Sequence, residues 1–297
     1  MVMINMSSKV VLITGCTSGI GLETAIECAK EGHTVFATMR NLNKKSELEK
    51  RIKKEKLERL KILELDISDS SSIVDAVASI VRQTKKIDVL FNNAGYRLIG
   101  SLEDITINEI REQINTNLMG PMHLTKTVLP HMKHGEEPGL IINMSAIPGK
   151  IGFSLSTSYC VSKFGIEGFT DSLRREMIHR NVNVCLIEAG IVHTKFFDNI
   201  KRTEQSRESE YAKDTEKMGT RLKKIIDSKR WTMPEDIAKK VIEIINENGT
   251  KVRYVIGSDA DFLINTTYYF RDDYEKMDDA IKEITDNINR NTNRIDA

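Results

Sequence analysis

The 297-residue sequence predicts an α/β fold in which a doubly wound parallel sheet lies between two layers of helices. Two observations carry this prediction. Apolar runs of three to six residues alternate with longer segments whose apolar residues recur at helical spacing. The first apolar run ends in a glycine-rich turn, and a helical segment follows that turn. Strands that alternate with helices form parallel sheets with right-handed crossovers, so we expect three layers, α/β/α.

The individual elements follow from the same patterns. Strands are predicted at residues 10–13, 34–38, 62–65, 89–91, 140–144, 182–187 and 252–256. Helices are predicted at residues 21–30, 46–61, 72–82, 107–131 and 159–179. Residues 10–13 are apolar throughout, as expected of a strand that is buried on both faces. Residues 46–61 are rich in lysine, which is typical of a solvated outer helix.

The domain organisation is expected to be simple. Neither an internal repeat nor an interdomain linker interrupts the alternation, so we expect one domain over residues 1–297. The polar segment 195–230 follows the sixth predicted strand, where loops of such folds cover a ligand crevice. We expect this segment to form a mobile lid over bound substrate. Residues 259–297 are expected to form a helical tail that becomes more polar toward its end.

Composition excludes several classes of protein. The formal net charge is +1, which gives no reason to expect a nucleic-acid or membrane partner. Four cysteines, Cys16, Cys28, Cys160 and Cys185, are scattered without Cys-x-x-Cys spacing. They argue against a disulfide framework and against a zinc site. With no signal peptide and no apolar run of membrane-spanning length, the sequence predicts a cytoplasmic protein that acts on a small molecule.

The glycine-rich turn after the first strand predicts a dinucleotide site. It reads Thr-Gly-Cys-Thr-Ser-Gly-Ile-Gly over residues 14–21. Glycines allow the backbone to turn tightly and to approach a pyrophosphate, and the following helix N-terminus offers free N–H groups to the phosphates. The candidate contacts in this turn are Gly15, Thr17, Ser18, Gly19, Ile20 and Gly21.

Four motifs resemble the short-chain dehydrogenase/reductase family, which has a Rossmann-type fold. The turn matches Thr-Gly-x-x-x-Gly-x-Gly, and three further matches follow in the family's order. They are Asn-Asn-Ala-Gly at residues 92–95, Asn-x-x-Gly at 117–120 and Tyr-x-x-x-Lys at 159–163. The sequence is most similar to the hydroxysteroid and retinol dehydrogenase branch. The sugar-nucleotide epimerase branch has Gly-x-x-Gly-x-x-Gly spacing, which this turn lacks.

The resemblance implies that further residues contact a nicotinamide dinucleotide. These residues are Asp66, Ile67, Asn93, Ala94, Gly95, Ala189, Gly190, Val192 and Thr194. The second strand decides between the two nicotinamide cofactors. Folds that bind NAD usually end this strand in an acidic residue, but Met39 holds that position and Arg40 follows it. A guanidinium suits a phosphate dianion, so we expect NADP(H).

Tyr159 and Lys163 form the predicted proton relay. They are four residues apart, hence on one face of a helix. A tyrosine with a pKa of roughly 10 is a poor base near neutrality, and the lysine charge is expected to lower that pKa. The resemblance implies that Lys163 also holds the ribose hydroxyls and that Asn117 supports a water chain to it.

Two positions depart from the family pattern. The family's carbonyl-polarising serine aligns with Ala146, and Ser145 matches a preceding serine that usually points elsewhere. Three explanations stay open. A serine-to-alanine change was introduced to trap a complex, which we favour; the natural enzyme works without the hydroxyl; or a bulge brings Ser145 into place. Ala189 replaces a family proline, so looser positioning of the cofactor is expected.

The expected reaction interconverts a secondary alcohol and a ketone or aldehyde, with a lipophilic substrate. Candidate crevice residues are Tyr96, Ile147, Phe153, Leu155, Phe196 and Phe197. Apolar walls suit such a substrate. The alternative is a regulatory protein that binds the dinucleotide with little or no turnover, which Ala146 favours. The resemblance also implies a homo-dimer or homo-tetramer.

Overall fold

A parallel sheet forms the centre of the structure, as predicted. The computed structural model describes residues 8–132, 137–194, 196, 200–203, 205, 208–227, 232–269, 273 and 275–279. Within these residues, the strands of the main sheet are β1 (Val10–Ile13), β2 (Thr34–Met39), β3 (Leu60–Glu64), β4 (Val89–Asn92), β6 (Gly139–Ala146), β7 (Val182–Ala189) and β9 (Arg253–Ile256). A parallel pair of short strands, β5 (Leu98–Ile99) and β8 (Lys201–Arg202), lies apart from this sheet.

The strand order places the ligand crevice. It is β3-β2-β1-β4-β6-β7-β9, with parallel pairing throughout. The chain therefore winds outward in one direction from β1 and in the other from β4. Loops that leave the carboxyl ends of these two neighbouring strands diverge, and ligands bind in the opening between them.

Helices cover both faces of the sheet. They are α1 (Gly19–Lys30), α2 (Ser46–Glu55), α3 (Ser70–Thr84), α4 (Ile107–Ile114), α5 (Gly120–Val128), α6 (Thr157–Met177), α7 (Ala212–Asp227), α8 (Pro234–Asn246) and α9 (Ser258–Tyr269). Successive residues of a strand point to opposite faces, and β1 shows the result. Val11 and Ile13 pack in one apolar cluster with α1 and α8, whereas Val10 and Leu12 pack in a second cluster with α3, α5 and α6. The predicted α/β/α layers are confirmed.

Several element boundaries differ from the sequence prediction. The lysine-rich helix ends at Glu55 rather than near residue 61, because Lys56 adopts a left-handed conformation with φ 54°. The strand that follows therefore begins at Leu60. The predicted helix 107–131 is interrupted by a π-helical stretch, Asn115–Met119, and ends in a 3₁₀ turn. Helix α8 was not predicted at all, although its buried face packs on α1.

The predicted lid and tail are described only in part. Of segment 195–230, the structure describes residues 196, 200–203, 205 and 208–227, and the remaining positions, Phe197 among them, lie outside the described residues. The described part contains β8 and α7. The predicted tail begins as α9, while residues 280–297 lie outside the described residues. In the ranges given above, no helix is both long enough and apolar enough to cross a membrane.

The packing of α3 on the sheet gives a stability prediction with its control on the next residue. Ile73 is 1% exposed and lies in the second cluster, whereas its neighbour Val74 is 49% exposed. Ile73→Ala should lower the free energy of unfolding by about 2–5 kcal/mol through lost burial and a residual cavity. Val74→Ala should change it by less than about 0.5 kcal/mol. Denaturant unfolding of both variants checks this, and equal losses would contradict the assigned face of α3.

Candidate active site

The glycine positions of the turn are crowded by neighbouring atoms or have a backbone conformation that disfavours side chains. Gly15 and Gly19 have φ of +74° and +60°, a conformation that side chains rarely adopt. A Cβ at Gly15 would lie 2.9 Å from the Cα of Ala94, and a Cβ at Gly21 would overlap the carbonyl oxygen of Gly15. The turn is therefore packed closely against the end of β4 and against itself, and only glycine fits these positions.

Thr14 and Asn93 join the carboxyl ends of β1 and β4. The Thr14 hydroxyl oxygen accepts hydrogen bonds from the backbone N–H groups of Asn93 (3.0 Å) and Ala94 (2.9 Å). The Asn93 amide donates to the carbonyl oxygen of Thr14 at 2.9 Å and to that of Gly15 at 3.3 Å. The Asn-Asn-Ala-Gly motif thus holds the glycine-rich turn, and this explains why an amide follows the strand.

The loop after β7 closes the other side of the turn. Thr194 lies against Gly19, since a Cβ at Gly19 would be 3.2 Å from Thr194 Cβ. Ala189 ends β7, and the backbone N–H of Ile191 donates to the Asp259 carboxylate at 2.7 Å. A Cβ at Gly190 would overlap that carboxylate. The contact of Asp259 with this loop was not predicted. The only sequence signal of Asp259 is that of an acidic residue in the first turn of a helix.

The remaining candidate cofactor contacts surround the same turn. Thr17, Ser18 and Ile20 are half-buried, and Val192 is buried and forms an isolated parallel bridge with Thr232. Ser18 precedes α1 in an extended conformation without a side-chain capping bond, so its hydroxyl is not engaged with the helix end. Thr17, Ser18 and Ile20 lie at the N-terminus of α1, where the helix offers backbone N–H groups to an anion.

Two candidate cofactor contacts, Arg40 and Asp66, lie just beyond the ends of β2 and β3. Arg40 is exposed directly after β2, and the side chain of Met39 points into the core. The Asp66 carboxylate accepts from the Ser68 backbone N–H at 2.9 Å and hydroxyl at 2.6 Å. Ile67 is buried, and a Cβ at Gly120 would overlap its carbonyl oxygen. The glycine of the Asn-x-x-Gly motif is therefore required by this close approach.

Asn117 lies in the π-helical stretch between α4 and α5, buried at 3% exposure. Its side-chain oxygen accepts from the Tyr96 N–H at 3.1 Å, and its amide donates to the Tyr96 carbonyl at 2.9 Å. The amide also donates to the Ser162 hydroxyl at 3.1 Å, on α6 between Tyr159 and Lys163. Asn117 thereby fixes the loop after β4 relative to the predicted relay. A π-helical turn is frequent at functional sites.

Tyr159 and Lys163 lie together near the start of α6, both buried. The Lys163 ammonium nitrogen is 5.9 Å from the centroid of the Tyr159 ring and donates to the Met144 carbonyl of β6 at 2.8 Å. The Phe196 ring centroid lies 6.3 Å from that of Tyr159. The structure thus brings together the two relay residues and one candidate substrate residue.

The pKa values of the relay are governed by burial. Burial raises the pKa of Tyr159 to about 12, and the nearby Arg97 guanidinium opposes that rise. The expected lowering by Lys163 is therefore not what the structure shows, because withdrawal of the phenol from water dominates. Burial also lowers the pKa of Lys163 to about 8, partly opposed by Glu167. Near neutral pH the phenol is protonated and the lysine is mostly charged.

Arg97 was missed by the sequence reasoning. It lies between Tyr96 and β5, and its guanidinium carbon is 5.5 Å from the Tyr159 ring centroid. One of its terminal nitrogens donates to the Ser156 hydroxyl at 2.6 Å. Its only sequence signal is a cation in the apolar stretch that follows the Asn-Asn-Ala-Gly motif, which is too weak to identify a contact with a residue on α6.

The structure decides one question about Ala146. Strands β6 and β7 pair in continuous register through Ser145 opposite Glu188 and Ala146 opposite Ala189. The Ser145 hydroxyl is buried without a hydrogen-bond partner among the described residues, and a Cβ at Gly149 would lie 2.7 Å from it. The hydroxyl therefore points toward the turn after β6, and there is no bulge in this pairing. The bulge explanation is wrong, and the other two stay open.

The other candidate substrate residues are divided among three places. Tyr96 is half-buried with the Lys201 ammonium 4.7 Å from its ring centroid, and burial raises its pKa to about 12. Ile147 and Phe153 belong to a small apolar cluster with Ala260 of α9. Leu155 has φ 57°, and its carbonyl accepts from the Gly100 N–H at 3.0 Å. Among the described residues, only Ile147 and Phe153 of this set pack in one apolar cluster.

Comparisons with known proteins agree with this geometry. The family model for the short-chain dehydrogenases matches residues 9–205. A 3-ketodihydrosphingosine reductase of Bacteroides thetaiotaomicron is 32% identical over 254 residues, 85% of this chain and 89% of the relative. Retinol dehydrogenase 8 of Bos taurus is 33% identical over 247 residues, 80% of this chain and 78% of the relative.

A solved structure is similar over most of the chain. A variant of actinorhodin polyketide ketoreductase with NADPH aligns with a TM-score of 0.70 and 28% identity, covering 84% of this chain and 95% of that one. The family model thus matches the part of the chain that contains the glycine-rich turn, Tyr159, Lys163 and most strands of the sheet. This protein belongs to the short-chain dehydrogenase/reductase family, and its predicted likeness to the retinol dehydrogenase branch is confirmed.

Proposed function

We propose that this protein is an NADP(H)-dependent oxidoreductase that interconverts a lipophilic secondary alcohol and the corresponding ketone or aldehyde. The observation that carries the proposal is the convergence of Tyr159 and Lys163 near the start of α6, with Asn117 bonded between the loop after β4 and α6. A protein that only bound a dinucleotide would have no use for a proton relay at this place.

The glycine-rich turn suits a dinucleotide. Its backbone turns tightly, because Cβ atoms at Gly15 and Gly21 would collide with Ala94 and with the Gly15 carbonyl, and α1 begins within the turn at Gly19. The pyrophosphate would lie at this helix N-terminus, and the ribose next to the nicotinamide would be held by Lys163. When bound, the nicotinamide supplies or accepts the hydride.

Arg40 supports NADP(H) over NAD(H). It is exposed at the end of β2, and the residue before it, Met39, buries its side chain in the core. Strand β2 ends without a carboxylate of its own, and a guanidinium can bind a ribose phosphate through two hydrogen bonds. The ketoreductase relative was solved with NADPH.

Tyr159 is proposed to move the proton. In reduction the carbonyl carbon accepts the hydride, the electron pair of the C=O bond moves to the oxygen, and Tyr159 gives its phenolic proton to that oxygen. With its pKa at about 12 the phenol holds this proton near neutral pH and is ready to act as the acid. Oxidation of an alcohol reverses each step, and Tyr159 then needs a cation nearby to act as the base.

The substrate is proposed to be lipophilic. Phe196 lies beside the Tyr159 ring, and the apolar Ile147 follows Ala146 directly. Two relatives are named for a long-chain ketone and for retinol, both of which carry large apolar groups. We further propose that segment 195–230 covers this substrate, since β8 pairs with β5 next to Arg97.

The setting of the enzyme is part of the proposal. We take the chain to be a cytoplasmic, single-domain homo-oligomer. Exposed apolar side chains on α5, on α6 and on the π-helical stretch between α4 and α5 support self-association. They are Met119, Met122, Val161 and Phe164.

Ala146 favours a second candidate function, a regulatory protein that binds the dinucleotide with little turnover. The position carries a methyl group where the family places a hydroxyl, and the Ser145 hydroxyl points elsewhere. Loss of one oxyanion donor typically lowers the rate about a hundred- to a thousand-fold. Turnover measurements with Ala146→Ser separate the two functions.

The glycine turn gives a binding prediction. Gly21→Ala should weaken NADPH binding at least tenfold, because the added Cβ would overlap the Gly15 carbonyl and lie 2.6 Å from the Asn93 amide nitrogen. Gly168→Ala is the matched control. Gly168 is an exposed residue of α6, and a Cβ added there would have no neighbouring atom within 4 Å. The control should keep NADPH affinity and gain about 0.5–1 kcal/mol of stability. NADPH fluorescence titration measures both, and undiminished binding by Gly21→Ala would contradict the assigned turn.

Arg40 gives a prediction on cofactor choice. Arg40→Ala should raise the dissociation constant of NADPH at least tenfold more than that of NADH, because only NADPH carries the phosphate that the guanidinium would bind. Titrations of both cofactors with the wild type and the variant provide the measurement. An equal rise for the two cofactors would show that Arg40 does not contact the phosphate.

The relay gives the prediction that tests the function itself. Tyr159→Phe should abolish turnover of a ketone and alcohol panel while NADPH binding stays within about threefold, because the variant removes only the phenolic hydroxyl. Lys163→Ala should lower both turnover and NADPH affinity, since it removes a charge and a proposed ribose contact. Ala146→Ser should raise kcat by up to about a thousand-fold. These kinetics should be measured in the Ala146→Ser background as well, where full activity of the Tyr159→Phe variant would sink the proposed mechanism.

A further inference from the structure

Arg97 is a buried cation that the proposed mechanism does not use. It is 9% exposed, and burial lowers its pKa, although a guanidinium stays charged in proteins. Within the described residues no carboxylate pairs with it, and its Nε has no hydrogen-bond partner. A buried charge without a counter-charge is costly, and an anion that forms beside it lowers this cost.

The surroundings of Arg97 hold its guanidinium against Tyr159. The Ser156 hydroxyl accepts its hydrogen bond, and this hydroxyl makes no capping bond to α6 although Ser156 is the residue that precedes the helix. The Arg97 carbonyl accepts from the Lys201 N–H of β8 at 3.0 Å. Both ends of the residue are thus fixed, and the guanidinium carbon lies 5.5 Å from the Tyr159 ring centroid.

The other titratable groups near Tyr159 do not replace this charge. Cys160 is the next residue on α6, and burial raises its pKa, so it remains a neutral thiol near neutral pH. Lys163 is 5.9 Å from the ring centroid and directs its ammonium to the Met144 carbonyl. Of these groups, Arg97 opposes the burial of the phenol most strongly.

We propose that Arg97 stabilises the phenolate of Tyr159 that forms whenever this residue gives up its proton, and that Ser156 is the positioning residue that holds the guanidinium in place. The inference rests on the proposed function, in which Tyr159 is the acid and base. The phenolic O–H bond breaks, its proton goes to the substrate oxygen, and the electron pair stays on the phenolate beside a guanidinium that remains protonated. Arg97 acts through Tyr159.

The pH dependence of alcohol oxidation tests this role. Tyr159 is active there as the phenolate, so kcat/KM rises with pH. A cation within about 4–6 Å lowers such a pKa by roughly 1–3 units. Arg97→Gln should therefore shift the rising limb upward by at least one pH unit, and lower kcat/KM tenfold or more at pH 8. Arg97→Lys should restore most of the loss, and Ser156→Ala should shift the limb in the same direction by less.

Two controls separate this role from a structural one. Arg111→Gln removes an exposed arginine on α4 and should leave the profile unchanged. NADPH affinity and thermal unfolding of Arg97→Gln show whether the fold is intact. If Arg97→Gln binds NADPH normally but its rising limb does not move, the proposal is wrong. A limb that moves in Arg97→Lys as far as in Arg97→Gln also overturns it, since charge would then not matter.

A substrate-free measurement keeps this test distinct from failure of the proposed function. Tyrosinate absorbance is titrated at alkaline pH in the cofactor complex, and Tyr159 is isolated by subtraction of the Tyr159→Phe variant. Arg97→Gln should raise the pH at which this signal appears. If no alcohol or ketone is turned over but the signal shifts as expected, the proposed function fails and the coupling of Arg97 to Tyr159 stands. An unshifted signal in an active enzyme overturns the coupling alone.

Discussion

The hydrogen bonds between Thr14 and Asn93 hold together the place where the sheet changes direction. Strands β1 and β4 are neighbours from which the chain winds outward in opposite directions, so their following loops must separate. The Thr14 hydroxyl accepts two backbone N–H groups, and the Asn93 amide returns two donations to the glycine turn. These bonds fix the turn and the loop after β4 in one position. Asn117 then joins that loop to α6, which carries Tyr159.

Removal from water controls the chemistry of this site. Tyr159, Lys163 and Arg97 are all buried, and burial disfavours the charged form of each. A tyrosine must lose its proton to act as a base, so the same burial that shapes the site also works against it. The Arg97 guanidinium, whose carbon lies 5.5 Å from the Tyr159 ring centroid, reduces this cost. Its charge is worth more in a buried site than in solvent, because the surroundings screen it weakly.

The pairing of β6 with β7 decides whether Ser145 can take the place of a hydroxyl at Ala146. Continuous pairing of β6 with β7 leaves Ser145 on the face toward Gly149, and a strand cannot turn this side chain to the other face without a slip in register. The Ser145 hydroxyl therefore cannot reach the place that the side chain of residue 146 faces, and only a hydroxyl on residue 146 could serve there. In the proposed mechanism, polarisation of the substrate oxygen would then depend on the hydrogen that Tyr159 donates, and the charges around Tyr159 would matter more than they do beside a serine.

The sequence by itself determined the succession of strands and helices along the chain and the α/β/α layers. It also identified four motifs. Apolar periodicity and glycine spacing are local properties, and each is legible in a few adjacent residues. The errors of the sequence prediction were also local. Lys56 ends α2 early because it adopts a left-handed conformation, and the amphipathic helix α8 was not predicted. Only the tertiary structure brought Arg97 against Tyr159 and aimed Ser145 away from the site. These contacts join residues that whole helices and strands separate along the chain, and burial, which sets their charges, exists only once the chain has packed.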